Sequence, residues 1–149
     1  MTLQNAQLQL DDTPDLASET VIKAAHDIAG HLGAGSQVTR KDINAIFQKL
    51  TGNGDAADGW SVKMTGCAIE LAELLWLREH SGITLDSDFA ETDKCFEILE
   101  QALPPQHNRH DDQISLQQFS TPARLAWVMA LAAGIKPEDI VLEPSAGTG

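Results

Sequence analysis

From Cys67 to Leu77 the chain reads CAIELAELLWL, eleven residues in which only Glu70 and Glu73 interrupt an otherwise apolar surface. A helix that is apolar nearly all round cannot lie on a protein surface, so other helices must surround it. The run is also far short of the roughly 20 apolar residues that a membrane span needs. The pattern therefore predicts a helix from about Trp60 to about Glu79 at the centre of a helical bundle, with no membrane partner.

The flanking sequence supplies the surrounding helices. Thr13-Pro14-Asp15 combines an N-cap candidate, a proline suited to the first helical position and an early acid. Val21, Ile22, Ala25, Ile28, Ala29 and Leu32 then recur at helical spacing, and Gly33 and Gly35 mark the end. Thr39 and Asp42 form a capping-box pattern ahead of Ile43, Ile46, Phe47 and Leu50, and residues 52–59 close that helix with a loop. Ser87 and Asp88 can cap a further helix whose Thr92, Cys95, Phe96, Leu99 and Leu103 make one stripe, stopped by Pro104-Pro105. Four helices with short connections describe a small helical domain over residues 13–105, after a polar, Gln-rich tail at residues 1–12.

Composition supports folding and narrows function. The chain has 149 residues, enough for one domain with an appendage, and 42% hydrophobic against 21% charged residues is ordinary globular composition. Its 22 acidic and 10 basic side chains leave a net charge of −12. Such a chain lacks the cationic footprint that nucleic-acid backbones require, so binding to DNA by these residues alone is disfavoured. No cationic, apolar leader opens the sequence, and a cytoplasmic location is expected. Cys67 and Cys95 have no C-x-x-C spacing and read as small core residues.

Most candidate ligand clusters have a simpler explanation. Residues 53–59, NGDAADG, lack the alternating acids, sixth-position glycine and twelfth-position glutamate of a calcium loop. His107, His110, Asp111 and Asp112 lie in a segment, residues 106–113, with no apolar residue and no cysteine partner, and read as a solvated linker. His26 and His31 do not share a helix face. Glu70 and Glu73 read as a polar edge of the central helix, since no Glu-x-x-His on another helix completes a ferritin-like metal site.

Beyond the linker the pattern changes. Thr121-Pro122 opens a fifth helix with Leu125, Val128, Met129 and Ala132 on one face, and Gly134 ends it. Ile140-Val141-Leu142 then reads as a short buried strand that runs at once into EPSAGTG, residues 143–149. Glycine offers no Cβ and tolerates positive φ, so such a turn lets backbone approach a ligand closely. The turn is neither a P-loop nor a complete dinucleotide fingerprint.

The pairing of QQFSTP, Gln117 to Pro122, with IVLEPSAGTG, Ile140 to Gly149, across one helix resembles motifs X and I of the S-adenosylmethionine-dependent adenine-N6 DNA methyltransferases. Residues 114–149 carry the resemblance. More loosely, the whole chain is similar to the N-terminal regions of large strawberry notch-like methylase/helicase proteins of bacterial mobile elements. The resemblance implies that residues 114–149 begin a Rossmann-like α/β domain, so the expected fold is mainly α, with four helices followed by the first helix and strand of that domain. It further implies cofactor contacts from Thr121 and Pro122 near the methionine carboxylate, and from Glu143, Pro144, Ser145, Ala146, Gly147, Thr148 and Gly149 around the methionine part of S-adenosylmethionine. A helix N-terminus favours a carboxylate, and an acid at a strand end can receive an ammonium. The adenine-gripping loop, the ribose-binding acid and any helicase motor do not occur in these residues. The expectation is therefore an N-terminal part of a DNA methyltransferase, alone or fused to a helicase, that is inactive by itself and meets DNA through further parts of the parent. The alternative is an acidic helical module that docks a protein partner or the parent's own basic channel.

Overall fold

The computed structural model describes residues 16–52, 60–83, 87–105, 121–136 and 138–142. The described residues form five helices: α1, Leu16–Gly33; α2, Arg40–Thr51; α3, Val62–Glu79; α4, Phe89–Ala102; and α5, Ala123–Ala133. The expectation of a mainly α chain holds, and among the described residues there is no strand. The expected helix start at Thr13-Pro14-Asp15 and the N-terminal tail lie outside them, as do residues 53–59 and 106–120.

Local signals set the helix ends. At the start of α2, the Asp42 N–H donates to Thr39 Oγ1 (3.3 Å), while the Thr39 N–H and hydroxyl donate to Asp42 Oδ2 (2.8 and 2.6 Å). Both halves of the capping box are thus made, so donors that the first turn leaves orphaned find acceptors. Those Thr39 hydrogen bonds, side chain first, hold the Asp42 carboxyl below its ordinary range. At the end of α1, Gly35 (φ 74°) donates to the Leu32 carbonyl (2.9 Å) and Ser36 to that of His31 (3.0 Å), the two bonds of a Schellman motif. Ser61 caps α3 by accepting from the Met64 N–H (3.1 Å). Asp88 occupies the N-cap position of α4, but its side chain makes no capping bond. Its carbonyl instead accepts from both the N–H and the hydroxyl of Thr92 (3.0 and 3.2 Å).

The core joins four helices. Ala24, Ala25, Ile28, Ala29 and Leu32 of α1 meet Ile43, Ile46 and Phe47 of α2; Ala68, Ile69, Ala72, Leu75 and Trp76 of α3; and Phe96 and Leu99 of α4. Trp60, just ahead of α3, is buried and stacks on Phe47 with ring centroids 5.6 Å apart. The pair α1 and α3 makes the most extensive helix contact. Both bring small residues to the core, Ala24, Ala25 and Ala29 on α1 and Ala68 and Ala72 on α3, which allow helix axes to approach. This explains one difference from the sequence reading. Ala24 is fully buried, whereas Ile22, counted on the apolar face, is 43% exposed.

The α1–α2 connection closes the far end of α4. The Val38 N–H donates to the Ala102 carbonyl (2.8 Å), Gln37 Nε2 to that of Gln101 (3.0 Å), and the Arg40 guanidinium to that of Pro105. Carbonyls at a helix C-terminus lack intrahelical partners, and here a neighbouring loop supplies them.

Candidate functional site

The residues expected to meet a cofactor fall on both sides of α5. Thr121 and Pro122 are exposed, Pro122 at the N-cap position, and the Pro122 carbonyl accepts from the Ala126 N–H (3.0 Å). The helix ends where expected, at Gly134 (φ 64°), whose N–H donates to the Leu131 carbonyl (3.0 Å). Next comes a turn in which the Lys136 N–H donates to Asp139 Oδ2 (2.8 Å) and the Asp139 N–H to the Lys136 carbonyl (3.0 Å). Glu143, Pro144, Ser145, Ala146, Gly147, Thr148 and Gly149 lie outside the described residues.

Two expectations for this segment need correction. Ile140-Val141-Leu142 is not in a strand, and the three residues are 100%, 61% and 87% exposed. A strand is defined by ladder partners, and no other described segment pairs with this one. The face of α5 read as core-facing is also turned to solvent: Leu125, Val128 and Met129 are 51%, 40% and 58% exposed, and Ala132 is exposed. The opposite side, with Ala123, Trp127 and Ala130, is the half-buried one. Hydrophobic spacing could not choose between these sides, because α5 is apolar on both.

α5 lies against α3, and specific side-chain contacts tie it to α4. The Trp127 ring stacks on Phe89 (centroids 4.8 Å apart) and lies against Phe96 at 5.3 Å. One helical turn earlier, Arg124 Nε and Nη2 donate to Oδ1 and Oδ2 of Asp93, both at 2.8 Å, and Nη1 reaches Glu100 Oε1 at 3.2 Å. The two parallel bonds to one carboxylate fix the guanidinium plane as well as its position. Its hydrogen bonds to Asp93 and then Glu100 raise the Arg124 pKa above the ordinary guanidinium value. None of Phe89, Asp93, Glu100, Arg124 or Trp127 stood out in the sequence. The one available signal is an arginine in the first turn of an otherwise apolar helix, three residues ahead of a tryptophan.

Glu73 lies near the same junction. It is half-buried on α3, and its carboxyl is pushed up to about 7, first by burial and then by the negative charges of Glu70 and Glu100. The expectation of a polar edge on the central helix is thus met by an edge where ionisation is costly. No group of three or more His, Cys, Asp or Glu among the described residues is arranged to hold a metal ion. His26 and His31 are exposed. Cys67 and Cys95 are free thiols, each half-buried with its pKa raised, first by burial, so both are poor nucleophiles at neutral pH. A cleft of about 250 Å³ lies between the end of α1, Trp76 and α4, but its lining of Leu32, Ile98, Leu99 and glutamine side chains offers no titratable group.

No helix among the described residues is long and apolar enough to cross a membrane. Comparison with protein-family models, curated proteins and solved structures returned no match to this chain.

Proposed function

We propose that this chain carries a helical domain followed by the first two cofactor motifs of an S-adenosylmethionine-dependent adenine-N6 DNA methyltransferase of the strawberry notch-like methylase/helicase type. The observation that carries the reading is the pairing of QQFSTP with IVLEPSAGTG across a single helix. Two features of the segment are compatible with it. α5 begins immediately after Thr121-Pro122 and is capped by a left-handed glycine. The outward face of α5 and the exposed Ile140-Val141-Leu142 are the apolar surfaces that a parallel sheet and its covering helix bury in each other.

In this reading Thr121 and Pro122 meet the methionine carboxylate at the helix start, where unpaired N–H groups favour negative charge. Glu143 receives the methionine ammonium, and the backbone of residues 144–149 passes close to the ligand. Residues 1–149 do not themselves bury the cofactor, because in such folds it lies across the carboxyl ends of several parallel strands.

Titration calorimetry tests the assignment. The 149-residue chain is expected to bind S-adenosylmethionine no better than millimolar. In the longer methyltransferase that this reading implies, Glu143→Ala removes a charged hydrogen-bond partner, a loss of about 1.5–3 kcal/mol, or roughly ten- to 150-fold in affinity. Gly147→Val fills space the ligand needs and should cost more. Unchanged binding in both variants removes the motif I assignment, and micromolar binding by residues 1–149 contradicts the shared-sheet site.

A further inference from the structure

Arg124 and Trp127 hold α5 by two contacts of different chemistry at adjacent positions along one side of the helix. The bidentate pair with Asp93 is directional, and the stack on Phe89 and Phe96 is broad and apolar. One contact alone lets a helix swivel about it. Two contacts a turn apart set both its rotation about the axis and its position along it. Arg124 is also only two residues beyond Pro122, so whatever holds its guanidinium holds the start of the helix.

We propose that α4 is a docking platform that orients α5 and so places Thr121 and Pro122 for the cofactor, with Arg124 and Trp127 as positioning residues; this rests on the S-adenosylmethionine reading above. Asp93 and Glu100 receive the guanidinium, and Phe89 and Phe96 receive the indole. The helical domain then contributes to cofactor binding without touching the cofactor. A ligand site needs supporting side chains that fix its geometry, and a small misplacement of a binding group is costly.

The test uses Arg124→Gln, Asp93→Asn and the reversed pair Asp93→Arg with Arg124→Asp, made together with Glu100→Gln so that no second carboxylate faces position 124. In the 149-residue chain, hydrogen exchange over residues 123–133 should quicken in each single variant and return toward the parent rate in the reversed pair. In the longer methyltransferase that the reading above implies, each single variant should weaken S-adenosylmethionine binding on the order of tenfold, and the reversed pair should restore most of it. Unchanged exchange in the single variants overturns the platform. So does a lowered melting temperature with unchanged cofactor affinity, because that is all a merely structural pair would produce. Gly147→Val separates the two ideas: if it abolishes binding while Arg124→Gln does not, the platform fails and the cofactor reading stands. If neither variant alters binding, both fail.

Discussion

Glu73 shows how one side chain can set the pH response of this domain. Its carboxyl is pushed up to about 7 from an ordinary 4.5, because the ionised form is short of water and faces Glu70 and Glu100. The folded chain therefore holds this proton more tightly than the unfolded chain does. Below about pH 4.5 both states are protonated at Glu73 and it costs nothing; between about 4.5 and 7 the unfolded state ionises first, so stability falls as pH rises; above 7 the cost is complete. Glu73→Gln should accordingly raise the melting temperature at pH 8 by an amount worth about 1–3 kcal/mol, and leave it unchanged near pH 4. Thermal melts of both proteins across pH 4–8 measure this, and equal gains at both ends would show that charge is not the cause.

At the scale of elements, several helix ends are set by local devices, and this is why those boundaries were readable. The Thr39–Asp42 box, the Schellman turn at Gly35, the glycine at 52 (φ 72°) and the Pro104-Pro105 stop all depend on residues within one turn of the helix end. Gly35 gives the cleanest test. A Cβ there would meet nothing within 4 Å, so any loss in Gly35→Ala comes from the left-handed backbone alone. The expected cost is about 1–2 kcal/mol, read from denaturant unfolding with an unchanged slope. A loss well above that range would mean that the α1–α2 connection, which also holds the end of α4 through Gln37 and Val38, had shifted as well.

For the molecule as a whole, the distribution of buried residues separates the helical domain from α5. Every buried hydrophobic side chain among the described residues lies between Ala24 and Leu103, whereas Ala123 and Trp127 are only partly buried against that cluster. Helix stability comes chiefly from such packing. A chain of residues 13–105 should therefore fold alone and give helical circular dichroism with a cooperative melt; a non-cooperative loss of signal would mean that α5 belongs to the folding unit. α5 is different in kind, packed on one side through Trp127 and open on the other through Leu125, Val128 and Met129.

The spacing of apolar residues and the capping chemistry were enough to locate five helices and find most of the core. They were not enough to show that Leu74, in the most apolar run of α3, stays 39% exposed while α1 is the helix that packs on both α2 and α3. Spacing and capping act over one or two turns, and nothing distant competes with them. The bounds of α5 were legible for the same reason, because a Thr-Pro helix opening and a glycine after the last turn are local signals. The side on which α5 docks was not. A helix apolar all round satisfies its periodicity in either orientation, and the outcome rests on Asp93 and Glu100, some 24 to 31 residues away in the chain, meeting one arginine. The same holds for Ile140-Val141-Leu142, whose composition suits a strand but whose conformation depends on ladder partners elsewhere, and for Glu73, whose proton affinity is set by burial and by a charge on another helix. Local propensity travels with the residues themselves, whereas docking, pairing and desolvation exist only once remote segments have been brought together.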